Sequence, residues 1–262
     1  MLIKKRKTQK QELRFYTFSP NLLNERLMKN IIIASTSTLH GGDYLDYLLP
    51  ELQNHFKDCK TILFIPYARP SGISHEEYTA KVALAFAKIN MAVKGIHEFE
   101  DAAMAIQKAE GVFTGGGNTF LLVTQLYKNG IMTILADAVK NGTPYLGTSA
   151  GSNICGLTMQ TTNDMPIIYP PSFQTLGLIP FNLNAHYLDP DTQSTHMGET
   201  RETRIKEFHA FNTIPVLGLR EGSWLEVKGE KTLLKGNLSA RLFRQNQIAT
   251  EIESGSDISY IK

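Results

Sequence analysis

The segment GTPYLGTSAGSN, residues 142–153, places Ser149 between Gly147 and Gly151 in the spacing G-x-S-x-G. A short apolar run precedes the serine, so the sequence predicts a strand, a sharp turn and then a helix. In such a turn the glycines relieve crowding, the hydroxyl is held toward a substrate, and the free N–H groups of the helix stabilise negative charge. The spacing favours nucleophilic catalysis by Ser149, while a small residue in a tight turn remains the other interpretation.

A serine nucleophile needs a general base, and histidine commonly serves. Among the seven histidines, His186 ends an apolar run and enters a loop rich in proline and aspartate, where a catalytic base is often held. His40 and His196 also fall in predicted loops, and the residues alone leave them open. The remaining four lie in predicted helices or beside predicted strands and are expected to be surface or half-buried side chains: His55, His75, His97 and His209.

The base in turn needs an acid that orients it, and two residues qualify. Asp164, in TTNDMP, precedes a proline turn, where an aspartate also commonly bonds its own backbone. Glu221, in VLGLREGSW, directly follows an apolar strand, although a charged residue at a hairpin turn is equally ordinary. The sequence pattern does not separate these two acids.

A second glycine cluster, FTGGGNTF at residues 113–120, also follows a predicted strand and precedes a predicted helix. Phe120 stands where a dinucleotide fingerprint would have its third glycine, and the Lys-Ser/Thr of a phosphate-binding loop is missing. The cluster is either a tight turn or a source of N–H donors for an oxyanion beside the serine. Because HExxH and other zinc spacings are also missing from the sequence, we expect no cofactor and no metal.

From residue 30 onward, short β-rich runs alternate with longer helical ones, which predicts a doubly wound, mostly parallel α/β sheet flanked by helices. Ligands of such sheets bind beyond the carboxyl ends of the strands. After about residue 210 four short strands separated by turns predict an antiparallel carboxyl-terminal extension of the same sheet. Expected strands cover 30–35, 61–68, 92–99, 111–116 and 144–148, and expected helices cover 43–56, 74–90, 101–109, 119–129 and 131–140, with another from Ala150.

The chain has 262 residues, with 27 Lys and Arg against 25 Asp and Glu, a net charge of +2. This excess is too small to indicate a nucleic-acid or membrane partner. Two cysteines far apart in sequence favour a reducing compartment, so we expect a cytoplasmic protein. Residues 1–27 are expected to be a basic extension outside the core, and residues 28–262 a single catalytic domain.

With these motifs together, the chain resembles peptidase E, the α-aspartyl dipeptidase family of serine peptidases, whose fold is similar to class I glutamine amidotransferases and flavodoxin-like. The resemblance runs from about Lys29 to the carboxyl end. It rests on seven motifs in the family's order: ASTSTLHGG, FTGGGNTF, GTSAGSN, TTNDMPI, NAHYLDP, HMGETRETRI and GLREGSW.

The resemblance implies Ser149 as the nucleophile and His186 as the general base. It offers both acids, with Glu221 ranked as the direct partner of His186 and Asp164 as an alternative acid or a substrate-site residue. The implied reaction is hydrolysis of dipeptides with amino-terminal aspartate through an acyl-enzyme, so the expected partner is a small peptide, and the choice between monomer and homodimer stays open.

The resemblance further implies that the N–H groups of Ala150 and Gly116 form the oxyanion hole. Arg201 and Arg204 are the expected partners of the aspartyl carboxylate, because arginine matches a carboxylate well, and Asn118 joins them as a substrate-binding residue. The two arginines could instead belong to an ion-paired helix face. The alternative functions are a cyanophycinase-like hydrolase of β-aspartyl-arginine and a catalytically silent, amidotransferase-like ligand-binding domain.

Overall fold

The structure, a computed structural model, describes residues 29–191, 193, 195 and 198–262. The expected basic extension over residues 1–27 lies outside this range, as does His196. The helices and strands of the described residues are β1 (Asn30–Ala34), α1 (Leu49–His55), β2 (Thr61–Ile65), α2 (His75–Ala87), β3 (Ala92–Gly95), α3 (Ala102–Gln107), β4 (Gly111–Thr114), α4 (Thr119–Lys128), α5 (Met132–Lys140), β5 (Tyr145–Thr148), α6 (Ala150–Asn153), β6 (Asn182–Ala185), α7 (Arg201–His209), β7 (Val216–Leu219), β8 (Ser223–Lys228), β9 (Lys231–Gly236), β10 (Ala240–Phe243) and β11 (Thr250–Ile252).

A central sheet confirms the predicted α/β fold. Its strand order is β3-β2-β4-β5-β1-β8-β9. Strands β1 to β5 run parallel, and β8 and β9 add the antiparallel extension at one edge. Strands β4, β5 and β1 are neighbours, so their carboxyl ends meet at one edge of the sheet, where ligands of doubly wound folds bind.

The expected extension differs from the structure in one respect. Strands β7 and β10 do not continue the central sheet but form a second sheet, in the order β11-β10-β7-β6. Strand β7 pairs parallel with β6 and antiparallel with β10. All residues of β6 and β7 are buried, so these strands belong to an interior layer, and an apolar run does not tell which strand it will pair with.

The core lies on both faces of the central sheet. On one face the sheet packs against α1 and α2, through side chains such as Leu52 and Phe86. On the other face it packs against α3, α4, α5 and the second sheet, through side chains such as Leu135 and Leu217. The second sheet is therefore joined to the central sheet by a continuous apolar layer, which brings the ends of β6 and β7 near the end of β5.

The helix expected over residues 74–90 is present as α2, and Ser74 caps its start. The Ser74 hydroxyl accepts the N–H of Glu77 at 3.1 Å, and the Glu77 carboxylate accepts the N–H of Ser74 at 2.7 Å. This reciprocal capping box satisfies two N–H groups that a helix start leaves without partners. Across the described part of the chain, no helix has the length and apolar character needed to span a bilayer.

Candidate active site

Ser149 occupies a sharp turn between β5 and α6. Its backbone dihedrals are φ 54° and ψ −111°, a positive-φ conformation that a residue with a side chain adopts only when its surroundings hold it there. The Ser149 N–H donates to the carbonyl of Ala34 at the end of β1, at 3.2 Å. The predicted strand, turn and helix are present, although α6 is a single turn of four residues.

The two glycines of the G-x-S-x-G spacing are required by close backbone contacts. A Cβ on Gly147 would lie 2.4 Å from the carbonyl oxygen of Gly151, and a Cβ on Gly151 would lie 2.1 Å from that of Thr114. Both separations are far shorter than any contact between carbon and oxygen in a protein. The glycines therefore let the turn pack directly on β4, which fixes the position of Ser149.

His186 is the first residue after β6 and faces Ser149. Its Nε2 lies 2.9 Å from the Ser149 hydroxyl, and its backbone also has a positive φ, 56°. The N–H of His186 donates to the buried hydroxyl of Ser35 at 2.9 Å, and that hydroxyl donates to the carbonyl of Leu219 at 2.7 Å. Ser35, which follows β1, thus ties the histidine backbone to the ends of both sheets.

Glu221 follows β7 and contacts the other side of the imidazole. Its Oε1 lies 2.6 Å from His186 Nδ1. A carboxylate accepts only, so Nδ1 carries the ring proton and Nε2 is left to accept from the Ser149 hydroxyl. Tyr47 lies nearby, and its pKa is raised by burial first and by the Glu221 charge second, so its phenol stays neutral.

Asp164, the other acid, occupies a different place. Its Oδ2 accepts the Thr119 N–H at 2.6 Å, the Thr119 hydroxyl at 2.5 Å and the Thr162 hydroxyl at 3.0 Å. The Asp164 carboxylate therefore lies at the start of α4. Of the two candidate acids, Glu221 bonds His186 and Asp164 does not, within the part of the chain that the structure describes. The Asn153 amide donates to both threonine hydroxyls and its oxygen accepts the N–H of Ala185, which connects Asp164 to the end of β6.

The glycine cluster after β4 lies against the serine. A Cβ on Gly116 would be 2.9 Å from the Cβ of Ser149. The Gly116 carbonyl accepts from the buried Tyr78 hydroxyl at 3.2 Å, while its N–H has no acceptor within the described ranges. Ala150 is the first residue of α6, where a helix leaves N–H groups without partners. Two N–H groups thus lie beside Ser149, from Gly116 and Ala150.

Comparison with known proteins gives the family. The model of peptidase family S51 matches residues 31–235. The chain belongs to this family. It is 47% identical over 230 residues to "Peptidase E" of Streptomyces coelicolor, covering 88% of this chain and 93% of that protein. It is 42% identical over 236 residues to a Drosophila melanogaster protein named "Probable alpha-aspartyl dipeptidase", covering 89% of this chain and 97% of that protein.

A solved structure extends the family relation to the fold. A peptidase from an acI-B1 Actinobacterium superposes with a TM-score of 0.64 at 14% identity, covering 89% of this chain and 97% of that one. At this identity the likeness concerns the fold alone. The S51 peptidase described here therefore shares its overall fold with that protein.

Arg201 and Arg204 of this peptidase lie on α7, which Arg201 opens. Arg201 is half-buried and Arg204 is exposed. The pKa of Arg201 is lowered, first by partial burial and second by the positive charge of Arg204. The negative charge of Asp164 raises the same pKa. Arg201 thus lies within electrostatic reach of Asp164. An arginine stays protonated in proteins, so both side chains present positive charge.

Asn118 ends the glycine cluster and caps α4. Its Oδ1 accepts the N–H of Leu121 at 3.0 Å, and its Nδ2 donates to the carbonyl of Met165 at 2.8 Å. One amide hydrogen is left to donate, because the side-chain amide has two. Asn118 therefore joins the cluster beside Ser149 to the segment that carries Asp164.

Among the described histidines, only His186 bonds Ser149. His40 is exposed in a loop, and the pair His55 and His209 is more buried than expected. His55 bonds the Tyr145 carbonyl, and burial lowers its pKa to about 4. Sequence reasoning missed Ser35, because a serine after a strand carries no signal until the second sheet is placed beside it.

Proposed function

We propose that this peptidase hydrolyses dipeptides whose amino-terminal residue is aspartate, with Ser149, His186 and Glu221 as its catalytic residues. The observation that supports this most directly is the hydrogen-bonded row from the serine hydroxyl through the imidazole to the carboxylate, at 2.9 and 2.6 Å. The family and the names of its relatives make the chain a serine-type dipeptidase.

The reaction proceeds in two steps. In the first, the Ser149 oxygen attacks the aspartyl carbonyl carbon, and His186 Nε2 takes the hydroxyl proton. The same nitrogen then gives that proton to the leaving amine, which departs as the second amino acid and leaves an ester on Ser149. In the second step His186 takes a proton from water, the hydroxide attacks the ester, and the proton returns to Ser149 as aspartate leaves.

Glu221 holds the imidazole in the required tautomer and stabilises its positive charge during each step. The oxyanion of each tetrahedral intermediate is bound by the N–H groups of Ala150 and Gly116. Each such donor is worth about 3 kcal/mol of transition-state stabilisation in serine peptidases.

Selectivity for aspartate requires a cation for the substrate side chain. We assign this role first to Arg201, because it is half-buried within electrostatic reach of Asp164 and its planar guanidinium can bind a carboxylate through two hydrogen bonds. Arg204 adds positive charge at the same helix start, and Asn118 offers its remaining amide hydrogen to the substrate. Asp164 is then a substrate-site residue rather than the acid of the relay.

The reaction needs water as its only co-substrate. We place it in the cytoplasm, since Cys59 and Cys155 are both buried free thiols, which fits a reducing compartment. Analytical ultracentrifugation of the purified protein would distinguish a monomer from a homodimer.

The decisive experiment compares hydrolysis of Asp-Leu, Leu-Leu, β-Asp-Leu and β-Asp-Arg by the wild type and by the Ser149→Ala variant. Selective cleavage of Asp-Leu that the variant loses is the expected result. A preference for β-Asp-Arg would contradict the proposal in favour of a cyanophycinase-like hydrolase. Cleavage of none of the four peptides would contradict it in favour of a ligand-binding domain, and binding of free aspartate would then be measured.

A further inference from the structure

Arg220 stands next to Glu221 and joins the two loops that carry the base and the acid. Its Nε and Nη2 donate to the two carboxylate oxygens of Asp189, three residues after His186, at 2.8 and 2.7 Å. The same guanidinium donates to both carboxylate oxygens of Glu251 in β11, at 2.9 and 3.1 Å, and to Ser239. One side chain therefore connects the loop after β6, the loop after β7 and the far strand of the second sheet.

These loops need such a connection. His186 keeps a left-handed backbone conformation, which costs conformational energy unless the chain on either side is held. Among the described residues, the Glu221 side chain bonds only His186, and it is 46% exposed. The separation of the imidazole and the carboxylate thus depends on where the two backbones lie. The Ser35 hydroxyl and the bond from the Tyr187 N–H to the Leu219 carbonyl join these backbones at the strand ends, and the Asp189–Arg220 pair joins them farther along the loops.

Tyr187, the residue after His186, is fixed by the same arginine. The Arg220 guanidinium lies 5.5 Å from the centre of the Tyr187 ring, within the range of a cation–π contact. The ring also packs on Gly218, where a Cβ would lie 2.6 Å from a ring carbon. Tyr187 therefore contacts both Arg220 and the β7 backbone, directly after His186 in the chain.

The ion pairs of Arg220 are formed at neutral pH. The Arg220 hydrogen bonds are the largest cause that lowers the pKa of Asp189, and they lower the pKa of Glu251 to about 2. Both carboxylates are thus ionised at neutral pH. The Arg220 side chain is only 14% exposed, so water competes little for its five donors.

We propose that Arg220 is a positioning residue of the relay: by bridging Asp189 and Glu251 it holds His186 and Glu221 at hydrogen-bonding separation. The inference rests on the proposed function for its kinetic consequence, but its structural consequence can be measured independently. Among the described residues Arg220 bonds neither Ser149, His186 nor Glu221, so it acts through the positions of His186 and Glu221. Substituting Arg220 should therefore change kcat and the protonation of the two imidazole nitrogens, and it should leave substrate affinity unchanged.

The test uses Arg220→Met, Arg220→Lys and Asp189→Asn, with Arg241→Met as the matched control. Arg241 bonds Glu251 and Glu202 and, among the described residues, no side chain of the loops that follow β6 and β7. We expect Arg220→Met to lower kcat for Asp-Leu by ~10²-fold, as misplacement by about 1 Å does, with KM within about twofold. Arg220→Lys, a point charge that cannot span both carboxylates, should lose about tenfold. Arg241→Met should keep kcat within about twofold.

A spectroscopic measurement separates positioning from a general structural role. The ¹⁵N shifts of the His186 ring, assigned by comparison with His186→Gln, report which ring nitrogen carries the proton. We expect the wild type and Arg241→Met to carry it on Nδ1, and both Arg220 variants to shift toward the Nε2 form. The double variant Arg220→Met/Asp189→Asn should have about the same kcat as Arg220→Met, because both substitutions break the same contact between Arg220 and Asp189.

Three results would overturn the proposal: wild-type kcat and ring shifts in Arg220→Met, an equal loss of kcat in Arg241→Met, or a rise in KM at unchanged kcat. If Arg220→Met does not fold, Arg220→Lys and Asp189→Asn decide the same question. If the wild type cleaves none of the peptides, the proposed function fails, and the ring shifts still decide whether Arg220 positions His186.

Discussion

The two halves of the candidate active site are held in place by different physical means. On the side of the central sheet, Ser149 is fixed by close backbone packing, since Gly147 and Gly151 allow contacts that any Cβ would prevent. On the side of the second sheet, His186 and Glu221 are 35% and 46% exposed and depend on ion pairs and a single buried hydroxyl. The nucleophile is thus positioned by shape, and its base and acid by charge and hydrogen bonding.

Because of this difference, we expect substitutions near Ser149 to lower stability and substitutions near His186 and Glu221 to lower activity. Packing in a parallel sheet is shared with the rest of the core, so disturbing the turn at Ser149 disturbs the fold as well. The carboxylates that pair with Arg220, Asp189 and Glu251, are 51% and 37% exposed, and an ion pair with so exposed a partner contributes little to stability. Changes there should cost kcat while the protein stays folded.

The largest expected effect distinguishes the two acids. Glu221→Gln should lower kcat by ~10⁴-fold, as the corresponding change does in serine peptidases, because an amide can donate to Nδ1 and select the wrong tautomer. Asp164→Asn should lower kcat by less than about tenfold, since an amide oxygen can still accept from Thr119 and Thr162. Steady-state kinetics on Asp-Leu measures both. If Asp164→Asn proves the more damaging of the two, the assignment of the acid is wrong.

A smaller effect tests positioning by shape. Gly151→Ala places a Cβ 2.1 Å from the Thr114 carbonyl oxygen, so the turn must move away from β4, and the free energy of unfolding should fall by about 3 kcal/mol. Gly42→Ala is the control, because its Cβ would meet only the Leu39 carbonyl at 3.5 Å, and it should stay within about 1 kcal/mol of the wild type. Urea unfolding of the variants measures both, and equal stability would contradict the steric account.

The smallest effect concerns acid stability of the second sheet. Bonding to Arg220 lowers the pKa of Glu251 from an ordinary value of 4.5 to about 2 in the folded state. A lowered carboxylate pKa contributes stability that is fully present above the ordinary value and is lost as pH falls toward the folded value. Between pH 5 and pH 2 the wild type should therefore lose roughly 2–4 °C more in Tm than Glu251→Gln. Parallel melting curves of the two proteins would contradict this.

The strands and helices around Ser149 could be predicted because their signals are local. A capping box, glycines flanking a serine and alternating apolar runs each lie within a few residues of the element they specify. The choice between Asp164 and Glu221 could not be made from sequence, because an acid is ordinary both before a proline turn and after an apolar strand, and only the fold brings one of the two to His186. The role of Arg220 has no local signal in the sequence, since its partners Asp189 and Glu251 each lie 31 residues away.

The second sheet escaped prediction for a related reason. Strands β7 and β10 are short apolar runs of the same kind as β8 and β9, and periodicity does not encode the partner of a strand. The base and the acid both follow strands of this second sheet, so the error in the fold bears directly on the site. Without β6 and β7 side by side, His186 and Glu221 have no reason to meet.

Ser35 links the two halves through one oxygen atom that accepts from the His186 N–H and donates to the Leu219 carbonyl. Its side chain is fully buried, and only a residue that is both small and hydroxylated can make these two bonds in that space. During evolution, the choice of residue at position 35 is therefore constrained by a histidine 151 residues away. A lineage that loses the hydroxyl at position 35 would face selection on the base although the base itself had not changed.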